Sequence, residues 1–369
     1  MGDVVIVGGG IIGCATAYYL SRAGASVVVL ERGDIAGEAS GAAAGMLAAL
    51  SGEAGERGPD FDALCLSSQA MYDSLVPELA TTGVDIRHQR TGVMHVALTD
   101  ASASELKARF EFAASQGAKA TWLEHTNLLR AEPQLSPRAV AGYVTPNEQY
   151  VDPRLLTQAL AEASRREGAI VVPNSPVTRF KRSHSAITSV STPTATYDCD
   201  TLLLAAGPWT FFLAKRLEAH IPVRPVRGQM LSLNGPASSL RHMIWGDHAY
   251  LVPREDGQTY VGATVEEVGY RSGTTMSGIA GLHRGAAGLV PSLASASQRR
   301  AWAGLRPASL DGLPVMGRLP KWDNVWVSTG HFRNGILLAP ASGELMAHSI
   351  LQGVPDPMLA PFSPERFLD

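Results

Sequence analysis

The chain has 369 residues, enough for two domains or one large one, and its 45% hydrophobic and 18% charged residues suit a globular enzyme. A net charge of −3 gives no basic stripe for nucleic acid, and no apolar run approaches the roughly 18 residues of a membrane span. Three scattered cysteines, Cys14, Cys65 and Cys199, point to buried thiols in a reducing, cytoplasmic compartment and to neither a disulfide frame nor a metal site.

The first thirty residues carry the strongest signal. Val4 to Val7 is an apolar, β-branched run that reads as a buried parallel strand. Gly8, Gly10 and Gly13 follow in G-x-G-x-x-G order, Cys14 to Arg22 has helical spacing, and Val27 to Leu30 is a second strand ending in Glu31. In such a unit Gly8 permits the tight turn, Gly10 lets the backbone approach a pyrophosphate, and Gly13 lets the helix pack on the strand. The diphosphate then sits at the helix N-terminus and Glu31 accepts ribose hydroxyls. The interrupting glycines and the lack of a basic start argue against reading this stretch as a signal peptide.

Next, Ile35 to Leu47 is rich in small residues, which suits close approach to something flat and bulky, with Ser40 and nearby amides suited to a phosphate. Asp60 to Leu79 reads as an amphipathic helix. Ile86 to Leu98 alternates around Gly92 and reads as a hairpin or paired strands in which His88 and His95 are solvated. Helices are expected over 103–116, 126–132 and 153–167, the last with Asp152 as N-cap and Pro153 at its first position. Strands are expected at 142–145, 170–172, 177–180 and 201–206, the last leading into Gly207. Beyond it, 221–233 reads as a strand, 248–254 and 258–264 as a hairpin turning at Glu255-Asp256-Gly257, 278–289 as a helix, 325–327 as a strand and 342–351 as the final helix. The first strand and last helix belong together, so a second domain must be inserted in pieces. The expected division is 1–85, 140–220 and 300–369 against 86–139 and 221–299.

Four segments, Val7-Gly8-Gly9-Gly10-Ile11-Ile12-Gly13, Ala42 to Leu47, Trp302 to Pro307 and Gly330-His331-Phe332-Arg333-Asn334-Gly335-Ile336-Leu337-Leu338-Ala339-Pro340, resemble the D-amino acid oxidase superfamily of flavoproteins. The last segment resembles the signature of its glycine oxidase branch. The resemblance implies an α/β fold, with a Rossmann-like FAD-binding domain and an inserted α+β substrate domain built on an antiparallel sheet. It implies FAD bound non-covalently and extended, since the C-terminal cysteine of covalently linked relatives is absent. Ile11 and Ile12 would lie beside the diphosphate with Ala39 and Ser40, and Glu31 and Arg32 at the adenosine. Ala44, Gly45 and Met46 would lie at the isoalloxazine, next to Ala43, and Val177 would meet the adenine. Gly207 would stand where the chain returns to the dinucleotide. His331, Phe332, Arg333, Asn334, Gly335, Ile336 and Leu337 would wrap the pyrimidine side.

For the substrate, the resemblance implies a carboxylate clamp of Arg306 and Tyr250, chemically apt because a guanidinium fork and a phenol supply directed donors. His248 and Met46 are expected near it. Val265 stands where relatives carry a methionine, and would open the amine side to an N-alkylglycine. The implied reaction moves a hydride from the α-carbon to flavin N5. It yields glyoxylate, ammonia or a released amine, and hydrogen peroxide from molecular oxygen, with no side chain as acid or base. Alternatives are a D-amino acid or sarcosine oxidase, a dehydrogenase with another electron acceptor, and a glycine oxidase of thiamine biosynthesis as against secondary metabolism. No nucleic acid, membrane or metal partner is expected, and relatives imply a homo-oligomer.

Overall fold

The computed structural model describes residues 3–49, 57–234 and 240–368. The expected opening unit forms a strand at Asp3–Val7, a helix at Ile11–Arg22 and a strand at Ser26–Leu30. Gly8 turns the chain at a φ of 123°, which side-chain-bearing residues rarely adopt. A Cβ on Gly13 would stand 2.0 Å from the Gly8 carbonyl, so helix and strand meet as closely as the motif requires.

These strands centre a six-stranded sheet in the order 315–318, 325–329, 201–204, 3–7, 26–30, 170–172. All neighbours are parallel except the 315–318 edge. Both faces are covered, which explains why 4–7, 27–30 and 202–204 are apolar throughout. Helix Pro153–Arg166 packs on one face beside the first helix, and Asp152 caps it by accepting from the amides of Arg154 and Leu155.

The last helix is longer than its sequence suggests, running Gly335–Gln352 with Pro340 inside it. Proline removes an amide that would bond the carbonyl four residues back. That carbonyl, on Ile336, instead accepts from the Tyr72 hydroxyl of helix Pro59–Ala80. One residue on, Ser68 Oγ donates to Leu337 O at 2.7 Å and accepts from Ala341 N at 3.2 Å. The two side chains repair the broken ladder and let the helix begin at Gly335, beside the cavity described below.

A second, eight-stranded sheet runs in the order 297–309, 223–234, 258–262, 250–253, 243–245, 93–97, 141–145, 121–124. It is antiparallel except where Met243–Trp245 runs parallel to Val93–Ala97. The expected hairpin of 250–253 with 258–262 is there. The expected hairpin around Gly92 is not: Gln89–Arg90 pairs with Gln149–Tyr150 in a small sheet with Met46–Leu47, while Val93–Ala97 enters the eight-stranded sheet. Strands 141–145 and 297–309, which the sequence division placed with the nucleotide-binding segments, also pair inside this sheet. No described helix is long and apolar enough to cross a membrane.

Candidate active site

The carboxyl ends of strands 3–7, 26–30, 201–204 and 325–329 open onto a deep cavity that continues to the face of the eight-stranded sheet. Parallel sheets place their ligand sites at this edge. At one end lie Val7, Gly8, Gly10, Ile11, Ile12, Glu31 and Arg32, with Val177 and Gly207 nearby. Glu31 accepts from Gly9 N at 2.7 Å and Gly33 N at 2.9 Å, one oxygen each. A carboxylate oxygen has two lone pairs, so the same group can brace the turn and meet a ribose. Ser40 Oγ accepts from Ile11 N at 2.9 Å, so it seats the helix start directly. Arg32 pairs with Glu38 and lies 3.7 Å over the Trp209 ring, at the rim.

Midway, Ala39, Ser40, Ala43, Ala44, Gly45 and Met46 form one wall and His331 to Leu337 the other. Three residues given no site role in the sequence analysis hold the first wall. Arg254, which reads as the end of a hairpin strand, is buried; it donates to Val151 O at 2.8 Å and to Ala44 O. Trp302 Nε1 donates to Ala42 O at 3.0 Å. A Cβ on Gly304 would stand 2.6 Å from the Ala42 methyl, so the wall lies directly on the long strand. In the facing wall Phe332 holds a φ of 47°, a conformation a bulky residue keeps only where its surroundings impose it.

Two buried atoms on this cavity, Ser328 Oγ and His331 Nδ1, have no hydrogen-bond partner among the described residues. Buried polar atoms are normally satisfied. These two, with Glu31 and the glycine-rich turn, fit a long ligand carrying polar groups along its length, as a dinucleotide does. His331 is buried, with Nε2 3.1 Å from Ser342 Oγ. Burial pushes its pKa, like that of His95, down to about 3. The unfolded chain protonates both rings near pH 6.5 and the folded chain does not, so stability falls as pH drops from about 6.5 toward 3. His331→Gln is therefore expected to remove about 2 kcal/mol of the stability lost between pH 7 and pH 5, read by denaturant unfolding. An unchanged loss would mean that the ring titrates in the folded state.

At the far end stand Arg306, Tyr250, Met46, Met230, Trp245 and Arg333. Arg306 Nη1 donates to Thr264 O at 3.0 Å, and its guanidinium lies against Gly228, where a Cβ would come within 2.2 Å of Nη2. Tyr250 leans over Gly262 in the same way, 2.3 Å from the position of a Cβ, and its Oη reaches Met230 Sδ at 3.8 Å. Burial raises the phenol's pKa, while the Arg306 and Arg333 guanidiniums pull it back. Arg333 lies 5.7 Å from the Trp245 ring, so its side chain belongs to this end as well.

Two expected site positions lie elsewhere. Val265 is 59% exposed and does not line the cavity. Its neighbours Thr264 and Glu266 pair with Gln229 and Arg227, which turns the residue between them outward. His248 is exposed, outside the cavity, and Gly13 serves packing alone. His95, expected in solvent, is 1% exposed and stacks on Tyr143 and Trp245; alternation along its strand marks a face but not what covers it. His88 is half-buried with Nε2 2.5 Å from Gln149 Oε1. Among the described residues no cluster of three metal-ligating side chains occurs.

The family model for FAD dependent oxidoreductases, DAO, matches residues 3–349. A glycine oxidase of Bacillus licheniformis is 34% identical over 350 residues, covering 95% of this chain and 93% of its own. The crystal structure of glycine oxidase from Geobacillus kaustophilus superposes with a TM-score of 0.94 at 31% identity, covering 100% of this chain and 99% of that one. Iminodiacetate oxidase from a Chelativorans species superposes at 0.88 with 25% identity, covering 98% of each chain. With the nucleotide-binding turn at one end of the cavity and a cationic, aromatic pocket at the other, the chain belongs to the DAO family of FAD-dependent oxidoreductases and is an amino-acid oxidase of that family.

Proposed function

We propose that the chain oxidises glycine or an N-substituted glycine, holding the carboxylate on Arg306 and Tyr250. The observation that carries this reading is the pairing of those two side chains, each seated over a glycine, in the cavity that begins at the dinucleotide turn. FAD, when bound, would supply the chemistry of a hydride acceptor that oxygen can reoxidise. Ser328 and His331, the glycine-rich turn and Glu31 would hold it. The protein's own part is placement. Arg306 binds the carboxylate through directed, charge-assisted donors, and Tyr250 Oη adds a third. Met46, Met230 and Trp245 exclude water from the α-carbon. No side chain is assigned as a base, because none of the described residues named at this end is a carboxylate and His95 and His331 are held neutral by burial.

The relatives support the substrate class. Some are named glycine oxidase and one iminodiacetate oxidase, and iminodiacetate is glycine with a carboxymethyl group on nitrogen. FAD is proposed to be non-covalent. Cys65 lines the cavity, but burial pushes its pKa up to about 12, leaving little of the thiolate that covalent attachment needs. Anaerobic titration with glycine, sarcosine, iminodiacetate and D-alanine tests the reading, followed by peroxide detection in air. Bleaching of the flavin band by at least one of the first three, at lower concentration than by D-alanine, is the expected result. Bleaching by D-alanine alone, or by none, would overturn it.

A further inference from the structure

Tyr143, His95, Trp245 and Tyr250 occupy directly opposed positions on four adjacent strands of the eight-stranded sheet. Directly opposed residues share a face, and Trp245 and Tyr250 line the cavity, so this row faces it. The row continues through Gly262, the gap into which Tyr250 leans. The rings touch in sequence. His95 lies 4.4 Å from Tyr143 at 13° between planes and 5.8 Å from Trp245 at 24°, and Trp245 lies 5.6 Å from Tyr250.

His95 itself is buried and does not line the cavity. Its ring is the spacer between the sheet's interior and the indole that forms one wall of the substrate end. Trp245 also meets the Tyr250 ring and the Arg333 guanidinium, and packs on the apolar cluster that contains Val93 and Met243. Of the two rings against the indole, His95 lies nearer to parallel, at 24° against 45° for Tyr250. We propose that His95 is a positioning residue: by stacking behind Trp245 it fixes the indole plane, and so limits the bulk that a substrate can carry beyond its carboxylate. The proposal rests on the carboxylate lying at Arg306 and Tyr250.

Three holoenzyme variants test it: His95→Ala, His95→Leu, which keeps bulk without a flat ring, and His95→Phe, which keeps the ring without its nitrogens. The kcat/KM ratio of N-butylglycine to glycine is expected to rise at least tenfold in His95→Ala, or in His95→Leu if the alanine variant does not retain FAD. It should return to within threefold of wild type in His95→Phe. Acrylamide quenching of Trp245, isolated by subtracting a Trp245→Phe spectrum, should rise and return in parallel, and this readout needs no turnover. A purely structural role would lower both substrates together with the folded fraction. An unchanged ratio and unchanged quenching in a FAD-replete variant, or failure of His95→Phe to restore them, would overturn the proposal. If wild type oxidises neither of these two amines, the anaerobic titration above decides the proposed function, while quenching still decides the role of His95.

Discussion

Replacing Arg306 with leucine is expected to lower kcat/KM for the best amino-acid substrate by about 10³-fold while FAD binding is retained. The guanidinium is half-buried and anchored by its bond to Thr264 O, which sets the plane of the fork before substrate arrives. Truncating one partner of a buried, hydrogen-bonded charge pair costs about 2–5 kcal/mol, and each 1.4 kcal/mol is tenfold in rate, which together give this magnitude. Arg306→Lys keeps the charge but loses the two-pronged geometry, so a smaller loss of about 10–100-fold is expected. Steady-state kinetics with flavin content measured from the absorption spectrum separates the effects. A leucine variant within threefold of wild type would show that the carboxylate binds elsewhere, with Arg333 the next residue to test.

Local patterns made the nucleotide half legible. The turn from Val7 to Gly13, the helix behind it and the strand ending at Glu31 are all set by neighbours in sequence, and these elements lie within a few residues of their expected bounds. What stayed illegible depended on distant partners. Pro340 reads as a helix breaker until Tyr72, 264 residues away from Ile336, supplies the missing donor. Gly92 reads as a hairpin turn, yet the strands on either side of it find their partners in two different sheets. Arg254 reads only as the end of a hairpin strand, but its guanidinium reaches back under the wall at Ala44 and lies 4.3 Å from the Tyr260 ring. At the substrate end Arg306, Tyr250 and Val265 all stand out by resemblance, and Val265 alone misses the cavity. One residue of alternation turns it away from the pocket, and the wall is built instead by Met46, Met230 and Trp245.

Gly228→Ala is expected to abolish most activity without unfolding the protein, a larger effect than adding one methyl group usually has. The φ of Gly228 lies outside the left-handed region, so alanine brings no backbone strain there. The new Cβ would stand 2.2 to 2.4 Å from three guanidinium atoms of Arg306, Nη2, Cζ and Nη1. A clash with the far end of a flexible side chain resolves by moving that side chain. The fold therefore survives and the guanidinium leaves its seat. The cost falls on the site: a misplacement of about 1 Å is worth about 10² in rate where catalysis depends on positioning. We expect kcat/KM to fall by about 10²-fold or more and Tm to stay within about 2–4 °C of wild type, the shift that about 1 kcal/mol produces in a larger domain. The diagnostic measurement is the double variant. If the glycine acts only through Arg306, adding Gly228→Ala to Arg306→Leu should cost almost nothing further, because residues in contact do not contribute additively. A full additional loss in the double variant would place the role of Gly228 in the strand itself, where it pairs with Gly304 across from the cofactor wall.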